Sequence, residues 1–340
     1  LNTRIKLVQT PMKIIGYLLH EGIKDTKGTI DADITFGGPI ANLKIDGKGE
    51  VNKGQTTIIY TGATYFFDKQ KIRLSNTEIS LDGAEITDIN GNKGTIRGGL
   101  FHDLFRHFGV NATLSGNNVV GLNTTKEDNP DYYGYGIGRI NAEFKGLFEQ
   151  VDIKINAVTS TGTKLNIPIK NTQSTLDQSF IKFVKRDTNH LAQTGHEHLH
   201  GGLDIEMTMT VTPDAELSLI FDEEKGDIIK GRGRGNLKMN ITRLGDFEVF
   251  GDYEIETGQY LFTAPLIPVA KPFIVERGGR IVWTGDPVNA LLNITAKYRT
   301  RAAMEPFVSE YLLGTLNPQL NLARQNTEVD VALYLGGTLF

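Results

Sequence analysis

The sequence predicts an all-β protein of many short, mostly antiparallel strands. At most one short helix is expected, near 304–316. Apolar and polar residues alternate with a period of two through most of the chain, which sets them on opposite faces of strands. Glycine makes up 38 of 340 residues, well above the usual share of about 7%, and follows no collagen period. The breaks in the alternation are rich in Gly, Pro, Asn and Asp, the residues that turn a chain.

Taken in order, Ile30, Ala32, Ile34 and Phe36 alternate with Asp31, Asp33 and Thr35 up to a break at Gly37-Gly38-Pro39. Short strands are expected at 58–60, 65–67, 72–74 and 79–81, divided by Gly62, Asp68-Lys69 and Asp82-Gly83. Asn90-Gly91 is a type I′ hairpin signal. Residues 99–107 read as a kinked strand, because their glycine bracket leaves no room for three helical turns. Residues 126–131 form a polar turn. Strands resume through Ile140, Ala142 and Phe144, then Val151, Ile153 and Ile155, then Leu165, Ile167 and Ile169. Residues 171–202 are expected to be a surface loop around a strand at 180–183.

Beyond that loop Leu203, Ile205, Met207, Met209 and Val211 alternate cleanly with Asp204, Glu206, Thr208, Thr210 and Thr212. Leu217, Leu219 and Phe221 follow, then Leu237, Met239 and Ile241 after a Gly-Arg repeat at 231–235. Residues 304–316 place Phe307, Tyr311 and Leu312 at helical spacing, with Gly314 and Pro318 to end the helix. Val329, Val331, Leu333 and Leu335 form a last strand. Nearly every strand is one-sided, so many apolar faces need cover. Two packed sheets would supply it, and so would one curled sheet whose inside is apolar. Periodicity alone does not separate the two.

The net charge of −4 and a pI near 6.0 give no electrostatic footprint for nucleic acid. No run of 18 or more apolar residues predicts a membrane-spanning helix. Cysteine is absent, which fits an oxidising compartment. The first residues lack the features of a signal peptide and the last strand breaks off, so the chain is expected to be an internal piece of a longer one. No Gly-x-Ser-x-Gly elbow occurs and the carboxylates fall on the wet strand faces, so no enzyme and no cofactor are expected.

His190, His196, His198 and His200 have alternate spacing that could present imidazoles to zinc, but flanking glycines and the lack of a carboxylate-bearing second segment favour a solvated loop. No metal site is assigned. Glycines 134–138 and 231–235 mimic phosphate cradles, yet each is followed by an alternating strand rather than a helix. Arg232 and Arg234 would share a strand face, solvated or meeting lipid headgroups. Met207, Met209 and Met239 read equally as core filler and as an adaptable lining for acyl chains.

The segment 245–298 is the most informative. Phe247, Val249, Tyr253 and Ile255 oppose Glu248, Asp252, Glu254 and Glu256, and Ala290, Leu292, Ile294, Ala296 and Tyr298 form a second row. Gly-Asp-Tyr-Glu-Ile at 251–255, Gly-Gln-Tyr-Leu-Phe at 258–262, Lys271 with Phe273, Gly-Gly-Arg-Ile-Val-Trp-Thr-Gly-Asp-Pro at 278–287 and Ala-Lys-Tyr-Arg at 296–299 resemble the C-terminal domain of the TamB family. Tyr132-Tyr133-Gly134, Gly146 and the segment 162–169 extend the resemblance upstream.

That resemblance favours the curled sheet over the sandwich and implies one elongated antiparallel sheet forming an open groove (a β-taco). Within it, a repetitive β-array over 1–125 continues an upstream groove, and a C-terminal β-groove domain covers 126–340, truncated at its end. It implies a periplasmic bridge of a double-membraned bacterium, anchored in the inner membrane by a segment outside this chain and reaching the outer membrane. Phospholipid acyl chains would slide along Leu203, Ile205, Met207, Met209, Val211, Leu237, Met239, Ile241, Phe247, Val249, Leu292 and Ile294. The implied partners are an outer-membrane barrel of the TamA type and other outer-membrane assembly subunits. A rival reading is an adaptor for outer-membrane protein assembly that docks a barrel by the strand edge Val329, Val331, Leu333 and Leu335. A second rival is a sealed β-sandwich for adhesion or binding.

Overall fold

Each alternating segment ends in residues that can reverse the chain, so strand follows strand and most neighbours in sequence become neighbours in space. The computed structural model describes residues 2–20, 22–39, 42–169, 203–222, 225–243, 245–263, 271–308 and 322–338. All of its strands belong to one 19-stranded sheet. β1 (Asn2–Pro11), β2 (Ile23–Gly37) and β3 (Lys44–Ile58) pair in succession. β4 (Thr64–Phe67) and β5 (Gln70–Leu74) lie end to end along β3 and face β6 (Glu78–Asp88). β7 (Lys93–Asp103), β8 (Arg106–Thr124) and β9 (Tyr133–Leu147) continue the meander. β10 (Gln150–Thr159) and β11 (Lys164–Pro168) share the far edge of β9.

The order then changes sense. β12 (Leu203–Val211) runs parallel to β10, and β13 (Glu216–Asp222) parallel to β11. β14 (Asp227–Ile241) crosses both antiparallel and pairs with β15 (Phe247–Phe262). β16 (Lys271–Val275) and β17 (Gly279–Gly285) lie end to end between β15 and β18 (Leu291–Ala303), and β19 (Asn326–Thr338) pairs with β18. The sheet is therefore mixed, where antiparallel pairing throughout was expected. A period of two is the same in either direction, so alternation carries no information on strand sense. A parallel neighbour requires the chain to return to its starting end, which no tight hairpin can do.

Several strands are longer than the sequence reading allowed: β8 has 19 residues and β15 has 16. The sheet absorbs breaks in the alternation as register shifts, between Arg232 and Gly233 and between Gly116 and Val119, for instance. A bulge keeps a strand going where alternation predicts its end. The hairpin expected at Asn90-Gly91 is present, but only Gly91 of the pair has a positive φ. Its loop is set instead by Asp88, whose carboxylate accepts the N–H groups of Asn90 and Asn92 at 2.8 and 2.9 Å. Residues 99–107 hold a second hairpin rather than one kinked strand. Leu104 and Phe105 both take left-handed backbone angles there, the geometry that strand twist favours in a two-residue loop.

Two short helices accompany the sheet, α1 (Lys13–Leu18) and α2 (Glu305–Val308). α2 is the first turn of the helix expected at 304–316; the rest of that span lies outside the described residues. α1 was not foreseen, since six residues are too few to show a 3.6-residue period. The solvent face carries cross-strand pairs at Lys238–Glu206, Arg280–Asp252 and Arg299–Asp330, at 2.9, 3.0 and 2.7 Å. Exposed pairs of this kind contribute roughly 0.2–1 kcal/mol each; their main effect is to keep that face wet.

Candidate functional site

Register turns the alternating strands into one continuous apolar row. Ile96 stands opposite Leu114, Leu114 opposite Ala142, and Ala142 opposite Ile155. Ile155 then meets Met207, Met207 meets Met239, and Met239 meets Val249. The row crosses the parallel rank without a break, because side-chain alternation survives a change of strand sense.

The curl of the sheet leaves this face hollow over its first half. A cavity of about 320 Å³ is lined by Ile15, Ile30, Val51, Ile96, Val151 and Leu203 among others. Strands far apart in the sheet order, β2 and β3 on one side and β10 and β12 on the other, thus face each other across one space. A second cavity of about 120 Å³ is lined by Ile140, Ile155, Ala157, Met207, Met209 and Met239 among others. Both are bordered by Ile58, Tyr60, Tyr65, Leu114, Phe144 and Ile153, so the two adjoin.

Few polar groups reach this region, and the phenol of Tyr65 is tied down. The Tyr65 hydroxyl donates to the Val120 carbonyl at 2.8 Å, and Val120 N–H donates to the buried Asp88 carboxylate at 2.8 Å. Burial pushes the Tyr65 phenol well above its ordinary range, and desolvation pushes Tyr132 up to about 12. Neither can lend a charge to the cavity at neutral pH.

The second half of the face is filled instead. Trp283, Tyr253, Ile255, Ile281 and Ile294 are each 1% exposed. Gly251 lies opposite Trp283, Gly235 opposite Tyr253 and Gly233 opposite Ile255, so large side chains sit beside bare backbone. The Tyr253 hydroxyl donates to the Gly231 carbonyl at 3.0 Å.

The residues singled out from sequence distribute over both parts. Leu203 borders the larger cavity, and Ile205, Met207, Met209 and Met239 border the smaller. Val211, Leu237 and Ile241 are buried on the same strands but outside those two linings. Val249, Leu292 and Ile294 are buried in the filled part, with Phe247 packed against it. Val329, Val331, Leu333 and Leu335 lie on β19, whose second edge has no paired strand among the described residues.

Sequence reasoning passed over the lining contributed by β2 to β10, above all Ile58, Tyr65, Leu114, Phe144 and Ile153. Their alternation was visible, but nothing in it tells which parity faces the hollow. His190, His196, His198 and His200 lie outside the described residues. Among those described, no group of three or more His, Asp or Glu side chains could hold a metal ion. Glycines 134–138 and 231–235 lie within β9 and β14, with no helix after them to cradle a phosphate. Arg234 is paired with Glu256 on the solvent face.

One curled sheet with a continuous apolar inner row defines an all-β protein of the single-curled-sheet class. The chain matches the TamB C-terminal domain over residues 82–339, and it belongs to the TamB family. No curated protein matches it. Membership connects the chain with the translocation and assembly module of the outer membrane and with periplasm-spanning envelope proteins. Among the described residues no helix is long and apolar enough to cross a membrane.

Proposed function

We propose that this chain is part of a bridge between the inner and outer membranes, along which phospholipid acyl chains move with their headgroups in solvent. The supporting observation is the pair of adjoining cavities enclosed by the curled sheet and lined by apolar side chains. An apolar cavity of even 150 Å³ stays dry and takes up apolar guests. An acyl chain crossing water exposes methylenes at about 0.8 kcal/mol each, a barrier on the order of 10 kcal/mol for a long chain. An apolar trough removes most of that barrier. No residue performs chemistry in this scheme. The outer end meets a barrel of the TamA type.

The test is lipid content and transfer. Phospholipid should appear by mass spectrometry in an organic extract of the purified chain. Met209→Asp, which sets a charge in the smaller cavity, should slow phospholipid transfer between two vesicle populations by about tenfold or more, as expected for an unpaired buried charge. A lipid-free extract together with unimpaired transfer by the variant would overturn the reading. A second reading is favoured by the unpaired edge of β19, an adaptor that captures a strand of a barrel by β-augmentation.

A further inference from the structure

We infer that acyl chains occupy only the hollow part of the apolar face, from β2 to β14, and end at Met207, Met209 and Met239. The packed section from β15 to β18 acts as a fixed stopper. This inference rests on the lipid-carrying reading above and adds to it a place where the cargo must leave the trough.

The two halves use the same alternation for opposite ends. In the hollow half, residues of modest size such as Ala142, Ala157 and Gly138 lie among the lining and leave space between facing strands. In the packed half the side chains fill the face: Trp283, Tyr253, Ile255, Ile281 and Ile294 are each 1% exposed. The aromatic contacts extend outward through Phe262, Phe273 and Tyr298, with ring centroids 6.1 and 5.6 Å apart along that series. Neither cavity lining passes Met239. A methylene chain entering beyond that point would have to expel well-packed rings, and filled cores resist added volume. The methionines at the boundary are unbranched and adaptable, suited to meet chain ends of different lengths.

Trp283 is the single tryptophan of the chain, and its indole N–H is buried with no hydrogen-bond partner among the described residues. The unaltered protein therefore carries its own reporter inside the stopper. Its fluorescence is to be compared after loading from phosphatidylcholine vesicles with brominated acyl chains and from unbrominated ones. Bromine quenches on contact, so Trp283 emission should be the same in both. Phe144 borders both cavities, and Phe144→Trp in a Trp283→Phe background should lose about half its emission with the brominated lipid, as contact along the ring requires. Phe148→Trp in the same background repeats the measurement if the first variant does not fold. Equal quenching at Trp283 and at the introduced tryptophan would overturn the stopper and leave the lipid-carrying reading intact. Quenching at neither position would overturn both. A red shift of Trp283 on loading would also count against the stopper, since it would place a lipid carbonyl at the unpartnered indole N–H.

Discussion

Gly251 has a φ of +119°, and a Cβ built on it would lie 2.0 Å from the Asn236 carbonyl oxygen. Only glycine fits there, because the backbone of the neighbouring strand occupies the space a side chain would need. Gly278 also has a positive φ, +91°, but a Cβ there meets nothing within 4 Å. The pair separates backbone strain from close approach. Gly278→Ala should cost about 1 kcal/mol, the strain alone. Gly251→Ala adds a backbone clash and should cost about 3 kcal/mol or more. Urea unfolding midpoints of the two variants check this, and equal costs would mean the strands part easily at that point. The glycine was legible as a residue that punctuates a strand. Its close approach to the Asn236 carbonyl was not, because register across strands is absent from a single sequence.

At the scale of elements, the period of two revealed most strands and their two faces. Leu203 to Val211 and Phe247 to Ile255 are strands with the parity that alternation assigns. Strand sense and ends were hidden for separate reasons. β10 and β12 alternate as any antiparallel pair would, yet they run parallel. The hairpin at Leu104-Phe105 carries no turn residue at all, so its left-handed geometry had no signal to betray it. β19 offers a test of the docking reading that avoids confusing a lost partner with a lost fold. In an antiparallel ladder successive residues point their N–H groups alternately to one neighbour and the other. Proline at Val331 and proline at Ala332 therefore remove N–H groups on opposite edges of the strand. One substitution should break the ladder with β18 and lower the unfolding midpoint. Its neighbour should leave stability nearly unchanged and abolish pull-down of an outer-membrane barrel. Retained pull-down by both folded variants would rule out pairing through this edge.

At the scale of the whole molecule, the single sheet links the hollow and packed halves, and buried tyrosines occur in both. Tyr65 and Tyr132 border the cavities, while Tyr253 and Tyr260 belong to the packed part. Desolvation raises all four phenols above the ordinary value. Below a pH of about 10 both folded and unfolded chains keep these protons, and the contribution of neutrality to stability is fully present. Above it the unfolded chain releases them and the folded chain does not. Stability should therefore fall as pH rises from about 10, by about 1.4 kcal/mol per pH unit for each retained proton. Four such groups acting together approach the 5–15 kcal/mol stability of a typical domain within about two units. Circular dichroism followed against pH should show loss of the sheet with an onset just above 10. Tyr65→Phe and Tyr253→Phe should each reduce the steepness by about a quarter, because each removes one of the four retained protons. Equal effects from the two variants would show that the halves unfold as one unit. An effect from Tyr253→Phe alone would make the packed half the independent one, and stability flat to pH 12 would remove the tyrosines from the account altogether.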